Sequence, residues 1–421
     1  MYNNLKKIFT LTVLTLPIIS QYNSAIPGLS IGDLILLLLV IFIVINLMME
    51  QHNANIQRKV INPFLVFIIY MVLGSLVSSI TQYYASTIDI SVRTLRYIFY
   101  IFCATFISKI YFDLDLFIKW YRRLVIFVTA FLFIQLILFE FKGYILMGTI
   151  PGLEISNIGY SEETMRNLYS YFYRPSSIFL EPGYFVQFTL PYLAYALFGN
   201  AKESKTKLIE ALLLSTGLVL TTSGQGIILT LFIWGMWFFT KFYNVKSKKI
   251  NLRFILGLCV FIAVIPLVIK IPIVERSVAR LFGSPTSSSS SRIFRGYHVY
   301  NQLEPIYKFI GVGYGNIGAY IIYKGIYTIY DVGLVQSEYM NSIAYILVNL
   351  GIIGFLLMVW IFVYLRKNTV GFHRICLYIL ILLSGVSTIF ISSGIVFYLP
   401  IILSGINKQN QNKEYINNLI N

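Results

Sequence analysis

The residues best equipped for chemistry lie in a few polar stretches of an otherwise apolar chain. SSSSSRIFRGYHVY at 287–300 joins a serine run to two arginines three apart and a histidine three further on. Serines are good N-caps, so a helix is expected from near Ser290. It should stop by Glu304, because Pro305 turns its predecessor away from helical geometry. Arg292, Arg295, His298 and Gln302 then share one face, with Ile293, Phe294, Tyr297 and Tyr300 on the other. A helix start favours anions, and two guanidiniums in the next turn add forked donors that match phosphate. The alternative is an interfacial helix whose arginines reach for lipid headgroups.

Other stretches repeat these residue types. YFYRPSSIFLEPGYFVQF at 171–188 holds Arg174 and places Glu181 before Pro182, which suits the first turn of a helix. Glu181 is either an electrostatically favoured helix-start carboxylate or an acceptor base. The surrounding tyrosines fit an interfacial aromatic belt and equally a sugar-stacking platform. Arg93 and Arg96 form a further i,i+3 pair, and TTSGQG at 221–226 makes a small-residue turn with Gln225 as a donor. GVGYGNIG at 311–318 has GxGxxG spacing, with Glu338 twenty residues after Gly318. A dinucleotide fingerprint needs a strand before it and a βαβ unit around it, and neither is expected here. Tight glycine turns that let backbone approach a ligand or a neighbouring helix fit better.

The elements that must position these groups follow from composition. Of 421 residues, 57% are apolar and 12% charged, about half the charge of a soluble domain. Apolar runs of about 20 residues recur along the chain, and inside lipid such runs must be helices. The fold class is therefore an all-α polytopic membrane protein, one membrane domain over 1–421. About twelve spans are expected, at 8–20, 31–49, 61–82, 93–111, 120–141, 182–198, 208–223, 225–243, 254–271, 339–365, 375–391 and 393–405. The first resembles a secretory signal, but its flank QYNSAIPG is a poor cleavage site, so it reads as an uncleaved helix, short or broken at Pro17.

The short connections on one side, with both tails, carry about two thirds of the 33 lysines and arginines. Positive charge is retained in the cytoplasm, so both termini are expected inside. Two long loops, about 142–181 and 272–338, then fall outside and form a small helical cap. Arg93, Arg96, Arg166, Arg174, Arg280, Arg292 and Arg295 lie on that side, against the charge bias. The net charge of +16 is a topology signal that also suits anionic membrane lipids. The basic loops lack aromatic interleaving, which argues against nucleic acid as a partner.

Cys103, Cys259 and Cys376 sit within apolar runs without paired or CxxC spacing, and His52, His298 and His373 are scattered. No metal site and no cofactor are expected. The spans hold few ionisable residues, and the buried acidic or histidine chains of ion-coupled pumps are not evident in them.

RPSSIFLEPGYF, SSSSSRIFRGYHVY, the glycine turn and QSEYMNSIAYILVNLGIIGF, in that order, resemble a Wzy-type polysaccharide polymerase, of the O-antigen ligase and polymerase superfamily. The resemblance in topology covers nearly the whole chain. It implies a metal-independent glycosyltransferase on the outer face of the bacterial cytoplasmic membrane. Such an enzyme joins polyprenyl-pyrophosphate-linked oligosaccharide repeat units into a surface polysaccharide. It also implies a flippase and a chain-length regulator of the same pathway as partners. External-loop arginines bind the pyrophosphates, and Arg174 and Arg292 match those positions best, with Arg295, Arg93 and Arg96 in support. Related ligases carry a His-Asn pair where this chain has Met340-Asn341, which counts against the ligase branch. Glu338, His298 and Glu181 then stand, in that order, as candidate bases. A ligase and a lipid-linked sugar exporter remain the alternatives.

Overall fold

A computed structural model describes residues 2–26, 28–50, 58–155, 173–199, 205–242, 270, 288–330 and 340–406. The ninth expected span (apart from Lys270), Cys259, Arg166, Arg280, Glu338 and parts of both long loops lie outside the described residues. What is described is helical. Beyond helices, only isolated bridges pair Tyr22 with Ile155 and Asn23 with Ser30.

The chain separates into two compact units, one of Met1–Pro17, Gly32–Phe117 and Ser284–Asn421, the other of Ile18–Ile31 and Ile118–Gly283. Five described helices are long and apolar enough to cross a membrane: Ile31–Met49, Asn62–Thr81, Thr87–Tyr111, Leu114–Lys142 and Ser342–Asn368. This is the composition of a multi-pass, all-α membrane protein.

The first unit begins with α1 (Tyr2–Ile19), which runs unbroken to Ile19 with Pro17 in its last turn. In α2 (Ile31–Glu50) Leu36, Val40 and Ile43 are buried while Leu38, Ile41, Phe42 and Ile45 are exposed. An apolar outer face of this kind needs lipid rather than water. Next come α3 (Arg58–Thr81) and α4 (Thr87–Phe102), which continues through a π-helical turn at Cys103–Ile107 into α5 (Ser108–Tyr111). The α4 helix starts six residues before the expected span. Ser86 caps it by accepting the Asp89 N–H, so Arg93 stands inside the helix and not at its tip.

After α6 (Leu114–Lys142) the second unit contains α7 (Pro182–Phe198), α8 (Lys205–Leu220) and α9 (Gly224–Phe242), which pack pairwise on one another.

The first unit resumes with α10 (Ser288–Asn301), α11 (Pro305–Ile310) and α12 (Ile317–Lys324). Its hub is α13 (Ser342–Asn368), against which α3, α10, α11 and the following α14 (Gly371–Ser384) all pack. Asn341 caps α13 at its start, and Arg366 and Lys367 complement its dipole at the end. The eleventh expected span stops at Ser384. The chain then passes Gly385 and a 3₁₀ turn at Ile389–Ile391 before α15 (Gly394–Ile406).

Candidate functional site

In the first unit, the start of α13 gathers the arginine-bearing elements. Asn341 Oδ1 accepts the Ala344 N–H at 2.9 Å, which closes the N-cap. The same side chain donates from Nδ2 to the carbonyls of Ile293, at 2.9 Å, and Arg292, at 3.3 Å. The Asn341 backbone N–H also donates to Arg292 O, at 2.9 Å. One residue therefore begins α13 and grips the backbone of α10 at Arg292. Gly296 lets the two helices meet there, because a Cβ on it would lie 2.5 Å from that of Ala344 and 3.0 Å from that of Met340.

One turn along α13, Tyr345 accepts a hydrogen bond from the Arg93 guanidinium. The Arg93 stem runs over Gly315, where an added Cβ would sit 3.0 Å from Arg93 Cδ. Arg96, the next turn of α4, interacts electrostatically with Tyr100, whose hydroxyl donates to the buried carboxylate of Asp33. Sequence reading passed over this buried ionisable network because Asp33 and Tyr100 come from separate apolar runs.

The glycine stretch at 311–315 serves a helix, not a nucleotide. Val312 and Gly313 donate their N–H groups to the carbonyls of Val348 and Asn349, and Gly315 N–H donates to Asn349 Oδ1 at 3.1 Å. Those carbonyls belong to a break in α13 at Gly351, which has φ 65°. Tyr70 donates to Leu350 O at 3.1 Å, satisfying another acceptor of the break. Non-helical backbone at membrane depth survives only where protein groups satisfy it, and here the glycine turn does so.

The face expected to unite Arg292, Arg295 and His298 is divided by burial. Arg295 is 5% exposed, Arg292 is half-buried and His298 is exposed. The buried seam of α10 runs through Ser291, Arg295, Gly296 and Val299, set by the Gly296 contact. The His298 ring instead meets Tyr330 edge-on at 4.8 Å. Beside these elements Tyr84 and Tyr323 stack at 4.2 Å, with Tyr83 against Tyr323 and 83% exposed. Burial, with a hydrogen bond to Tyr307, holds the Tyr84 phenol well above its ordinary pKa. Lys324 is raised by its 2.6 Å contact with Glu304.

In the second unit Arg174 Nε donates to Thr222 Oγ1 at 3.1 Å. Thr222 and Ser177 both take positive φ, 54° and 58°, which is costly for residues other than glycine. Ser177 is fixed from every side: its N–H donates to Gln135 Oε1 at 2.8 Å, its carbonyl accepts from Gln135 Nε2 at 3.0 Å, and its hydroxyl donates to Val128 O at 2.6 Å. Gln21 Oε1 accepts from Leu180 N–H at 2.6 Å, one residue before Glu181. Glu181 occupies the N-cap of α7 with extended backbone, and its carboxylate makes no capping bond. Its position is that of a cap, but its side chain is not used as one. Gln225 reaches the same helix start, with Nε2 2.5 Å from where a Gly183 Cβ would be. A cavity of about 10 Å³, lined by Gln135, Tyr173, Arg174 and Leu180 among others, has room for about one water.

Among the described residues no three His, Cys, Asp or Glu side chains gather at a metal-binding separation. No protein-family model matches the chain, and no curated protein matches it.

Proposed function

We propose that the chain is a polymerase that joins polyprenyl-pyrophosphate-linked oligosaccharide repeat units on the outer face of the bacterial cytoplasmic membrane, crossing it about twelve times. The observation that carries this reading is the first turn of α13. Asn341 holds the Arg292 backbone there and Tyr345 accepts from the Arg93 guanidinium, so two arginine-bearing segments distant in sequence meet one helix start. A helix N-terminus on which arginine-bearing segments converge suits a pyrophosphate, and the charge split between the loops supports an outward orientation for this end of α13.

The chemistry matches those groups. Pyrophosphate is already a good leaving group, so the main catalytic demand is to stabilise its developing charge, which fixed guanidiniums do in a water-poor site. The half-buried Arg292 is the member within reach of substrate, while Arg295 is buried. The acceptor hydroxyl needs a base. Glu338 precedes Asn341 by three residues and ranks first. His298 ranks second and Glu181 third. The tyrosine ledge of Tyr83, Tyr84 and Tyr323 offers aromatic faces on which sugar rings stack. In the second unit, Arg174 is a candidate of its own for binding pyrophosphate.

A forked contact to phosphate is not reproduced by lysine. Arg292→Lys should therefore lower elongation by about ten- to a hundredfold, the equivalent of a charged hydrogen bond of about 1.5–3 kcal/mol. Purified chain, reconstituted with lipid-linked repeat units, would be followed on a glycan gel, with melting temperature as the folding control. Equal polymer length from Arg292→Lys and wild type would overturn the reading. In cells, a deletion strain should display single-repeat glycan. Complete loss of surface glycan would point to an exporter instead.

A further inference from the structure

The second unit contains a cavity that the proposed reaction does not use. It measures about 480 Å³ and lies where the N-terminal part of α6, the C-terminal end of α7 and the N-terminal end of α8 come together. Four cations line it, Lys119, Arg122, Arg123 and Lys207, around a single carboxylate, Glu210.

That carboxylate is already engaged. Arg122 Nε donates to Glu210 Oε1 at 2.8 Å, its NH2 group contacts the same oxygen, and Tyr192 donates to Oε2 at 3.0 Å. The Glu210 side chain is 11% exposed, so its charge is spent inside the protein. Four cations against one carboxylate leave the rim net positive, with Lys119, Arg123 and Lys207 beside the Arg122–Glu210 pair. Lys207 lies over the Tyr195 ring at 4.7 Å and Arg123 over Trp120 at 4.8 Å. Cation–aromatic pairs at helix ends mark the headgroup level of a bilayer.

The outer faces of the helices that line the cavity separate a lipid from a free anion. On α8, directly after Lys207, Ile209 is 63% and Leu212 53% exposed, and on α6 Phe127 is 56% exposed. A soluble phosphate has no use for an apolar, lipid-facing surface on the helices that hold it. An acyl chain does.

We propose that this cavity binds the phosphate-bearing headgroup of an anionic phospholipid, with its acyl chains along the exposed face of α8. Basic pockets between membrane helices suit such headgroups, and the basic connection at 199–207 matches the leaflet where anionic lipids concentrate. The site is independent of the polymerase reading.

The test uses the full chain in detergent, with retained lipid counted by native mass spectrometry against phosphatidylglycerol and phosphatidylcholine. Wild type should prefer phosphatidylglycerol. The triple variant Lys119→Gln, Arg123→Gln, Lys207→Gln leaves the Arg122–Glu210 pair intact and should lower that preference by on the order of 100-fold, about fivefold per cation. The charge-keeping variant Lys119→Arg, Lys207→Arg should retain it, which separates loss of charge from loss of fold. Equal retention of the two lipids by wild type, or an unchanged preference in the triple variant, overturns the proposal. Displacement of phosphatidylglycerol by millimolar inorganic phosphate overturns it too, assigning the site to a soluble anion.

Discussion

The two units each contain a bend that regular helix does not supply, and they make the bend from different residues. In the first unit the bend at Gly311 and the break at Gly351 use glycine at φ 82° and 65°, and the two pack against each other. In the second unit Ser177 and Thr222 hold φ 58° and 54° beside Arg174. Glycine reaches such angles without steric penalty, whereas serine or threonine pays about 1–3 kcal/mol and needs outside support. The first bend is thus specified by missing side chains, the second by hydrogen bonds. The first should fail when atoms are added, the second when bonds are removed.

The largest expected effect lies in the first unit. A Cβ at Gly351 would fall 2.2 Å from Phe309 O, and one at Gly311 would fall 2.2 Å from Asn349 O. Neither neighbour is a flexible side chain. Gly351→Val or Gly311→Val should cost more than about 4 kcal/mol and leave little folded protein by size-exclusion chromatography in detergent. Gly325 is the control. It also has positive φ, 60°, but nothing lies within 4 Å of its Cβ position. Gly325→Ala should cost only about 1 kcal/mol. A Gly351→Val protein melting with wild type would show that the break in α13 is not held by this close approach.

The matching experiment in the second unit removes bonds without adding bulk. Gln135→Leu strips an acceptor from Ser177 N–H and donors from the carbonyls of Ser177 and Leu146. At about 1 kcal/mol for each of the three groups, the low end of the usual cost, the loss should reach about 3 kcal/mol. Asn349→Leu is the counterpart in the first unit, where Asn349 accepts from Gly315 and donates to Tyr345 O. Its cost should be smaller, because backbone bonds from Val312 and Gly313 hold the same turn without it. The order of the two melting temperatures in detergent decides the point. If Asn349→Leu melts lower, the glycine turn depends on the amide after all.

These partners also mark how far the sequence could be read. Hydropathy located helices α2, α3 and α13 closely because a lipid-facing run needs only length and apolarity, and it placed the start of α6 six residues late. It missed the start of α4, where TIDIS is polar but capped by Ser86, and the break in α13, because NLGIIG reads as continuous helix. The glycine turn was legible as a close approach, but its partner was not, since two of its three bonds go to the backbone carbonyls of Val348 and Asn349, which carry no sequence signal. Periodicity put Arg292, Arg295 and His298 on one face. It could not show that Gly296 would draw Arg295 into the interior and leave His298 on Tyr330. Asn341 was visible only as half of a departed His-Asn pair, while its grip on Arg292 required a tertiary contact.

The smallest expected effect isolates strain from bonding at Thr222. Thr222→Ala removes the Oγ1 that accepts from Arg174 and keeps a Cβ at φ 54°. Thr222→Gly removes the same acceptor and also the steric cost of that angle. Both variants should impair polymer elongation alike, by up to about tenfold, if Thr222 orients Arg174 through a single charged hydrogen bond. They should differ in stability, with glycine ahead by about 1 kcal/mol from the relieved left-handed backbone, less the greater freedom glycine has when unfolded. Melting curves for the pair measure that difference directly, and elongation assays at matched protein measure the shared loss. Coincident melting would mean that the positive φ at Thr222 stores no strain. A large activity gap between the variants would mean that Arg174 is placed by the bend itself, and the contrast between the units would then lie in the backbone and not in the bonds.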